Sequence, residues 1–236
     1  METSKTEKSV IMVPNTKTRD PATGLKISQT PVEVPEVPGL SLIHDYITTT
    51  EETRLWNELD KLPWVVDFTR KLQYYGYRNE LTKPYHLVPI PEDIPQCLHL
   101  LMERIVEDKL NYKRPEQVII NDYLPGQGIR PHFDRKDYFD NTIIGISLGS
   151  DCVMEFTSPD KQKVNVYIPR RSLYVLEDDA RYEWLHGIAG RKTDKLGNGK
   201  VLIRSRRISI TFRNVIQSKV KRTLASEMAN AVLKLK

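Results

Sequence analysis

From Gln117 onward the chain breaks into short runs in which apolar and polar positions alternate: QVIINDY, NTIIGISLG, DCVMEF, VNVYIP, SLYVLED and RRISITFRN. Loops containing Gly, Asp, Pro or charge separate them. Strands this closely spaced, with no helical pattern between them, predict a sandwich or jelly roll rather than a βαβ sheet. Upstream the period changes. Leu55, Trp56, Leu59 and Leu62 follow Thr49-Thr50-Glu51-Glu52 at helical spacing. The polar quartet reads as a capping box, with Thr49 at the N-cap and Glu three residues later, and predicts a helix from about 50 to 61. Ile94, Leu98, Leu101 and Ile105 form the stripe of a second helix near 94–109, with Pro91 and Pro95 marking its start.

Composition and punctuation set the boundaries. Residues 1–38 are polar, with Pro14, Pro21, Pro31, Pro35 and Pro38 spread through them, and predict an arm that is largely disordered. A folded domain is expected over 39–216, beginning with the apolar run Leu40-Ser41-Leu42-Ile43. Val220, Leu224, Met228 and Val232 recur every four residues in 217–236, which reads as a basic C-terminal helix or tail. At 236 residues the chain can bury a substantial core, and one monomeric domain with extra termini is the expectation. No apolar run approaches the ~20 residues of a membrane span, and the N-terminus lacks the apolar core of a secretory signal. Cys97 and Cys152 imply no disulfide framework, which suits a reducing, cytoplasmic or nuclear location. The net charge of +5 permits a polyanionic partner without requiring one.

Candidate chemistry is concentrated at 121–134, NDYLPGQGIRPHFD. It ends on His132 and Asp134, which share a face if the segment is a strand. Of the other histidines, His186 is placed to face a pocket, in ARYEWLHGI ahead of Gly187. Together these three supply two imidazoles and a carboxylate, the ligand set of a facial triad. Taken alone, His-x-Asp with a distant His recurs by chance. The strand RISITFR adds weight. It puts Ile208, Ile210 and Phe212 on one face and Arg207, Ser209, Thr211 and Arg213 on the other. Two guanidiniums among hydroxyls suit an anion pocket, because the planar fork holds a carboxylate bidentately, although a solvated edge would show the same alternation. Asn121 and Tyr123, also i and i+2, offer an amide and a phenol to the same anion.

The four blocks NDYLPGQGIRPHFD, ISLGSDCVMEF, PRRSLYVLEDDARYEWLHGI and RRISITFR resemble the AlkB family of Fe(II)- and 2-oxoglutarate-dependent dioxygenases over roughly 39–215. The resemblance implies a mainly β (α+β) fold with flanking helices, a double-stranded β-helix buttressed by the N-terminal helices. It implies His132, Asp134 and His186 as catalytic iron ligands, and Asn121, Tyr123, Arg207 and Arg213 as 2-oxoglutarate contacts, with O2 as co-reactant. The reaction implied is hydroxylation of an alkyl group on a nucleic-acid base. That means either oxidative demethylation, as in DNA repair, or tRNA modification at a uridine. RNA, tRNA and single-stranded DNA are therefore the expected partners, and a protein or small-molecule hydroxylase is the alternative. The segment 68–79 corresponds to the family's nucleotide-recognition lid, with Arg70 and Lys71 on phosphate and Tyr75 or Tyr77 stacking on a base. PRRSL and ARYEWLHGIAGRKTD look closer to the wobble-uridine hydroxylase branch. The Lys- and Arg-rich loop 190–206 reads as either a backbone-binding patch or a solvated loop.

Overall fold

The structure, a computed structural model, describes residues 9–15, 30–67, 69–79, 87–196 and 199–220. The strand Arg207–Val215 shows how its layers stack, because all nine of its residues are buried. Ile208, Ile210 and Phe212 enter a core shared with Leu55 and Leu59 of helix Thr49–Asp60 and with Leu98, Leu101 and Ile105 of helix Gln96–Glu107. Its polar face turns the other way, into the space between two sheets. Alternation therefore separates an apolar layer against the helices from a polar interior, as expected of a jelly roll buttressed by helices.

The larger sheet has eight strands, in the order Val32–Glu33, Leu40–Ile43, Leu173–Leu176, Phe139–Leu148, Arg207–Val215, Gln117–Tyr123, Arg70–Tyr75 and Val65–Asp67. The smaller has five, in the order Val10–Ile11, Lys163–Ile168, Cys152–Thr157, Leu185–Ile188 and Ile129–His132. Between them lies a second core that includes Leu42, Met154, Phe156, Ile168 and Leu176.

Both helices form near their predicted positions, but the first cap is shifted by one residue. Thr48 is the N-cap: its hydroxyl accepts from the Glu51 N–H at 3.1 Å, and the Glu51 carboxylate accepts from the Thr48 N–H at 2.6 Å. Glu52, expected to close the box, is instead 3% exposed. It accepts from the Gly149 N–H at 2.8 Å and pairs with Arg170. Three threonines precede the acidic pair, so the sequence alone fits either register.

Two pieces of the stretch read as a disordered arm belong to the fold. Val10–Ile11 pairs in parallel with Lys163–Ile168, and Val32–Glu33 pairs with Leu40–Ile43. Val13, Val34 and Val37 are buried between the sheets. The prolines that suggested a linker are compatible with this placement, since an edge strand tolerates residues without an N–H. Residues 1–8, 16–29 and 221–236, including most of the expected C-terminal helix, lie outside the described residues. Gln217–Lys219 forms a 3-10 turn, and Val220 bridges to Leu87.

Candidate active site

The strands Ile129–His132 and Leu185–Ile188 run antiparallel with His132 directly opposite His186. Their close approach requires Gly187, where a Cβ would lie 2.8 Å from the backbone nitrogen of Pro131. The two rings are 4.5 Å apart at their centroids, and His186 Nε2 stands 3.8 Å from Asp134 Oδ2. His132 Nδ1 lies 2.8 Å from the Arg130 carbonyl. A carbonyl can only accept, so Nδ1 carries a proton and Nε2 is the nitrogen left to bind a cation. Burial, reinforced by His132, lowers the pKa of His186 to about 4, against the attraction of Asp134. Burial opposes ionisation of Asp134, but Arg213, His186, His132 and Arg181 outweigh it and bring its pKa down to about 2. At neutral pH His186 is therefore neutral and Asp134 ionised, the states in which each can bind a divalent cation. Among the described residues no group of three His, Cys, Asp or Glu side chains is placed to hold a metal ion as it stands, this set included, so its side chains must draw together to do so. Asp134 uses its other oxygen on Arg213.

Beside this set lies a narrow inner cavity of about 50 Å³ lined by Asn121, Tyr123, Tyr174, Arg207, Ser209 and Arg213. Arg207 is 3% exposed and donates from Nε to Ser147 Oγ at 3.0 Å. Its Nη1 and Nη2 are buried without a hydrogen-bond partner among the described residues. Two parallel donors on a buried cation are what one carboxylate satisfies. Burial also pushes the phenols of Tyr123 and Tyr174 upward, so both remain O–H donors. The arrangement fits an acidic cosubstrate. Space for one or two waters does not admit a five-carbon diacid without side-chain movement.

Sequence reasoning missed Arg181. From the short helix Asp178–Tyr182 its guanidinium donates to four backbone carbonyls, those of Asp134, Arg135, Phe139 and Asp140, at 2.9–3.2 Å. It thereby holds the turn that carries Asp134. No periodicity announces such a residue; only the buried carbonyls do. Arg181→Lys keeps the charge and loses the fork, and it is expected to cost about 3 kcal/mol in denaturant unfolding.

Outside the metal-type set a wider cleft of about 660 Å³ shares Asn121, Ile129, His132, Asp134 and Arg213 with the inner cavity. Its outer walls include Arg70, Tyr74, Arg78, Phe133 and Arg135. Pairing decides which lid residues face it. Leu72 lies opposite Asn121 and Tyr74 opposite Ile119, so 70, 72 and 74 share the cleft side. Tyr75, expected to stack on a base, lies opposite Val118 and points into the helical core, 8% exposed, its hydroxyl donating to Gln73. Burial pushes its phenol up to about 12. Tyr77 packs against the core between the sheets, and its neighbours Arg78 and Asn79 line the cleft instead. Arg70 does line the cleft; Lys71 is exposed on the opposite side of the strand.

The loop 190–206 is largely occupied with its own structure. Arg204 and Arg191 pair with Asp194 at 2.6 Å, and Arg206 spans Asp60 and Asp122 at 2.6 and 2.8 Å. Arg191, Arg204 and Arg206 are thus committed.

A family model described as "2OG-Fe(II) oxygenase superfamily" matches residues 49–213, which include every polar residue of the inner cavity. The chain belongs to this superfamily, in its AlkB-like family. This oxygenase is 54% identical to protein L905 of Acanthamoeba polyphaga mimivirus over 185 residues, covering 78% of this chain and 88% of that one. It is 32% identical over 211 residues to the tRNA (carboxymethyluridine(34)-5-O)-methyltransferase ALKBH8 of Macaca fascicularis, covering 77% of this chain and 31% of the macaque protein. Most of that relative therefore lies outside the match. In structure the oxygenase resembles OsALKBH1, with a TM-score of 0.57 and 13% identity, over 78% of this chain and all of that one. Membership makes it an enzyme and implies Fe(II) and 2-oxoglutarate. Among the described residues no helix is long and apolar enough to cross a membrane.

Proposed function

We propose that this oxygenase hydroxylates an alkyl carbon carried by a nucleic-acid base. The observation that carries the reading is a pair of adjoining cavities that share Asn121, Ile129, His132, Asp134 and Arg213. The inner one holds Arg207, whose two terminal nitrogens have no partner among the described residues, and the outer one is walled by Arg70, Arg78 and Arg135. A cleft of about 660 Å³ is in the range that encloses a small molecule or one extruded base.

In this reading His132, Asp134 and His186 hold Fe(II), and Arg207 takes the distal carboxylate of 2-oxoglutarate. Asn121 and Tyr123 complete the polar wall of the cosubstrate site. When bound, iron and keto acid together turn O2 into the oxidant that places oxygen on a C–H bond, leaving succinate and carbon dioxide. The chain's own residues position and exclude. Arg213 fixes one oxygen of Asp134 and leaves the other turned toward His186. Ile143, Met154, Leu176 and Ile188 line the same cavity with apolar surface and keep water from the reacting centre. Arg70, Arg78 and Arg135 supply positive charge for phosphate, and Tyr74 and Phe133 offer faces on which a base can stack.

The fate of the product depends on the carbon presented. A hydroxylated N-methyl collapses to formaldehyde and the bare base, whereas a hydroxylated side-chain methylene is retained. The tRNA-modifying name of the macaque relative favours testing tRNA first. The test is mass spectrometry of nucleosides from tRNA, total RNA and DNA, before and after incubation with Fe(II), ascorbate and 2-oxoglutarate. A change in a modified nucleoside supports the reading. Succinate formation with no nucleoside change, and no retention on nucleic acid at low salt, points to a protein or small-molecule hydroxylase.

Two of the lid tyrosines, Tyr74 and Tyr75, are expected to separate. Tyr74→Ala lowers turnover of nucleic acid about 10- to 100-fold, the worth of one stacked base, with the melting temperature unchanged. Tyr75→Ala removes a core side chain and costs about 3 kcal/mol of stability, read by denaturant unfolding.

A further inference from the structure

The lid strand reaches into the cosubstrate site as well as the cleft. Arg70 donates from Nε to Asn121 Oδ1 at 2.8 Å, and its guanidinium carbon sits 5.4 Å from the centroid of the Tyr123 ring. The guanidinium of Arg207 lies 5.6 Å from the same centroid. Tyr123 is thus a phenol ring in contact with two cations, one from the cleft side and one from the depth of the inner cavity. The register explains the reach. Lys71 pairs with Asp122 and Leu72 with Asn121, so Arg70 comes level with Tyr123 and diagonal to Asn121 on the shared inner face.

The bond to Asn121 has a chemical consequence. A guanidinium carries only donors, so the amide atom facing it must be the oxygen. The amide orientation is therefore set by Arg70, and the NH2 end is left for the cavity that Asn121 also lines. Were the amide to turn over, an oxygen would meet the incoming carboxylate, and an attraction would become a repulsion.

We propose that Arg70 is a positioning residue of the keto-acid site, orienting Asn121 and Tyr123 from the wall of the substrate cleft and so linking the two compartments. The inference rests on the cosubstrate reading given above. It assigns Arg70 a role that phosphate binding alone does not require. A substrate anion that draws Arg70 outward also loosens Asn121, so the occupancy of one compartment alters the other.

The test uses the full chain with no nucleic acid present, and follows both succinate formation with Fe(II) against 2-oxoglutarate concentration and the rise in melting temperature that 2-oxoglutarate alone produces. Arg70→Ala is expected to raise the KM for 2-oxoglutarate about five- to twenty-fold, and Arg70→Lys, which keeps a donor, to recover most of it. Arg70→Ala combined with Asn121→Ala should lose clearly less than the sum of the two single losses, because the first residue acts in part through the second. A KM unchanged in Arg70→Ala, with nucleic-acid turnover reduced, overturns the proposal and leaves Arg70 a phosphate contact. Additive losses in the double variant overturn it too, since the residues then act independently. A wild-type protein that forms no succinate at any 2-oxoglutarate concentration removes the cosubstrate reading itself, and this proposal with it.

Discussion

Arg207→Met is expected to raise the melting temperature of the protein alone while abolishing its response to 2-oxoglutarate. The two effects have one cause. Arg207 is 3% exposed, with one donor on Ser147 and two terminal nitrogens that have no partner among the described residues. A cation held out of water with unpaired donors costs several kcal/mol, and replacing buried charge with an apolar side chain of similar volume is often stabilising by about 1–4 kcal/mol. For a domain of this size that is a rise of roughly 2–16 °C. The same two donors would give a carboxylate a bidentate, charge-assisted contact in a dry site. Losing it should raise the 2-oxoglutarate requirement at least about 100-fold. In wild type, a ligand that binds only the folded state raises the melting temperature as its concentration rises, and the variant should show no such rise. Thermal melts with and without 2-oxoglutarate, alongside succinate assays, decide it. A variant less stable than wild type would mean that the guanidinium is already satisfied. An unchanged KM would place the carboxylate elsewhere.

Function here draws on a cost carried by the fold, and the sequence makes part of that design legible. Alternation in RISITFR identified both faces of the strand because its residues are unambiguous: Ile and Phe on one side, Arg, Ser and Thr on the other. QVIINDY was readable for the same reason. Its partner strand was not. Arg70–Tyr75 carries two adjacent tyrosines ahead of Gly76, so either can occupy the open face, and only the pairing with Gln117–Tyr123 fixes which one does. A one-residue change of parity moves every side chain to the other face. That is why Tyr74, and not Tyr75, lines the cleft. Charge is ambiguous in a different way. The basic loop and the arginine of ARYEWLHGI look alike in sequence. Yet Arg191, Arg204 and Arg206 neutralise Asp194, Asp60 and Asp122, and Arg181 is consumed by backbone carbonyls. Arg207 differs from them in having no anion among the described residues, and only the three-dimensional placement of partners shows it.

The metal-type set contains the second large effect, and its members should fail differently. Asp134→Asn and His132→Ala are each expected to reduce 2-oxoglutarate turnover by more than about 1,000-fold. Each should also abolish the weak visible charge-transfer band expected when Fe(II) and 2-oxoglutarate are added anaerobically, since each removes one of the three ligands proposed above. Their stabilities should part. Asp134 is 7% exposed and is the carboxylate in contact with Arg213, with Arg181 bonded to its own carbonyl. Asparagine keeps the shape but removes the negative charge, leaving two buried guanidiniums beside a neutral amide. Breaking a buried ion pair from one side costs about 3–5 kcal/mol, which here lowers the melting temperature by roughly 6–20 °C. His132 is half-buried, and its ring bonds to the neutral backbone carbonyl of Arg130. His132→Ala should therefore melt within a few degrees of wild type while being equally inactive. Calorimetry of both variants without metal makes the comparison. Equal melting temperatures would show that Asp134 is not the counter-ion of Arg213. A charge-transfer band surviving in either variant would show that the residue replaced is not a ligand.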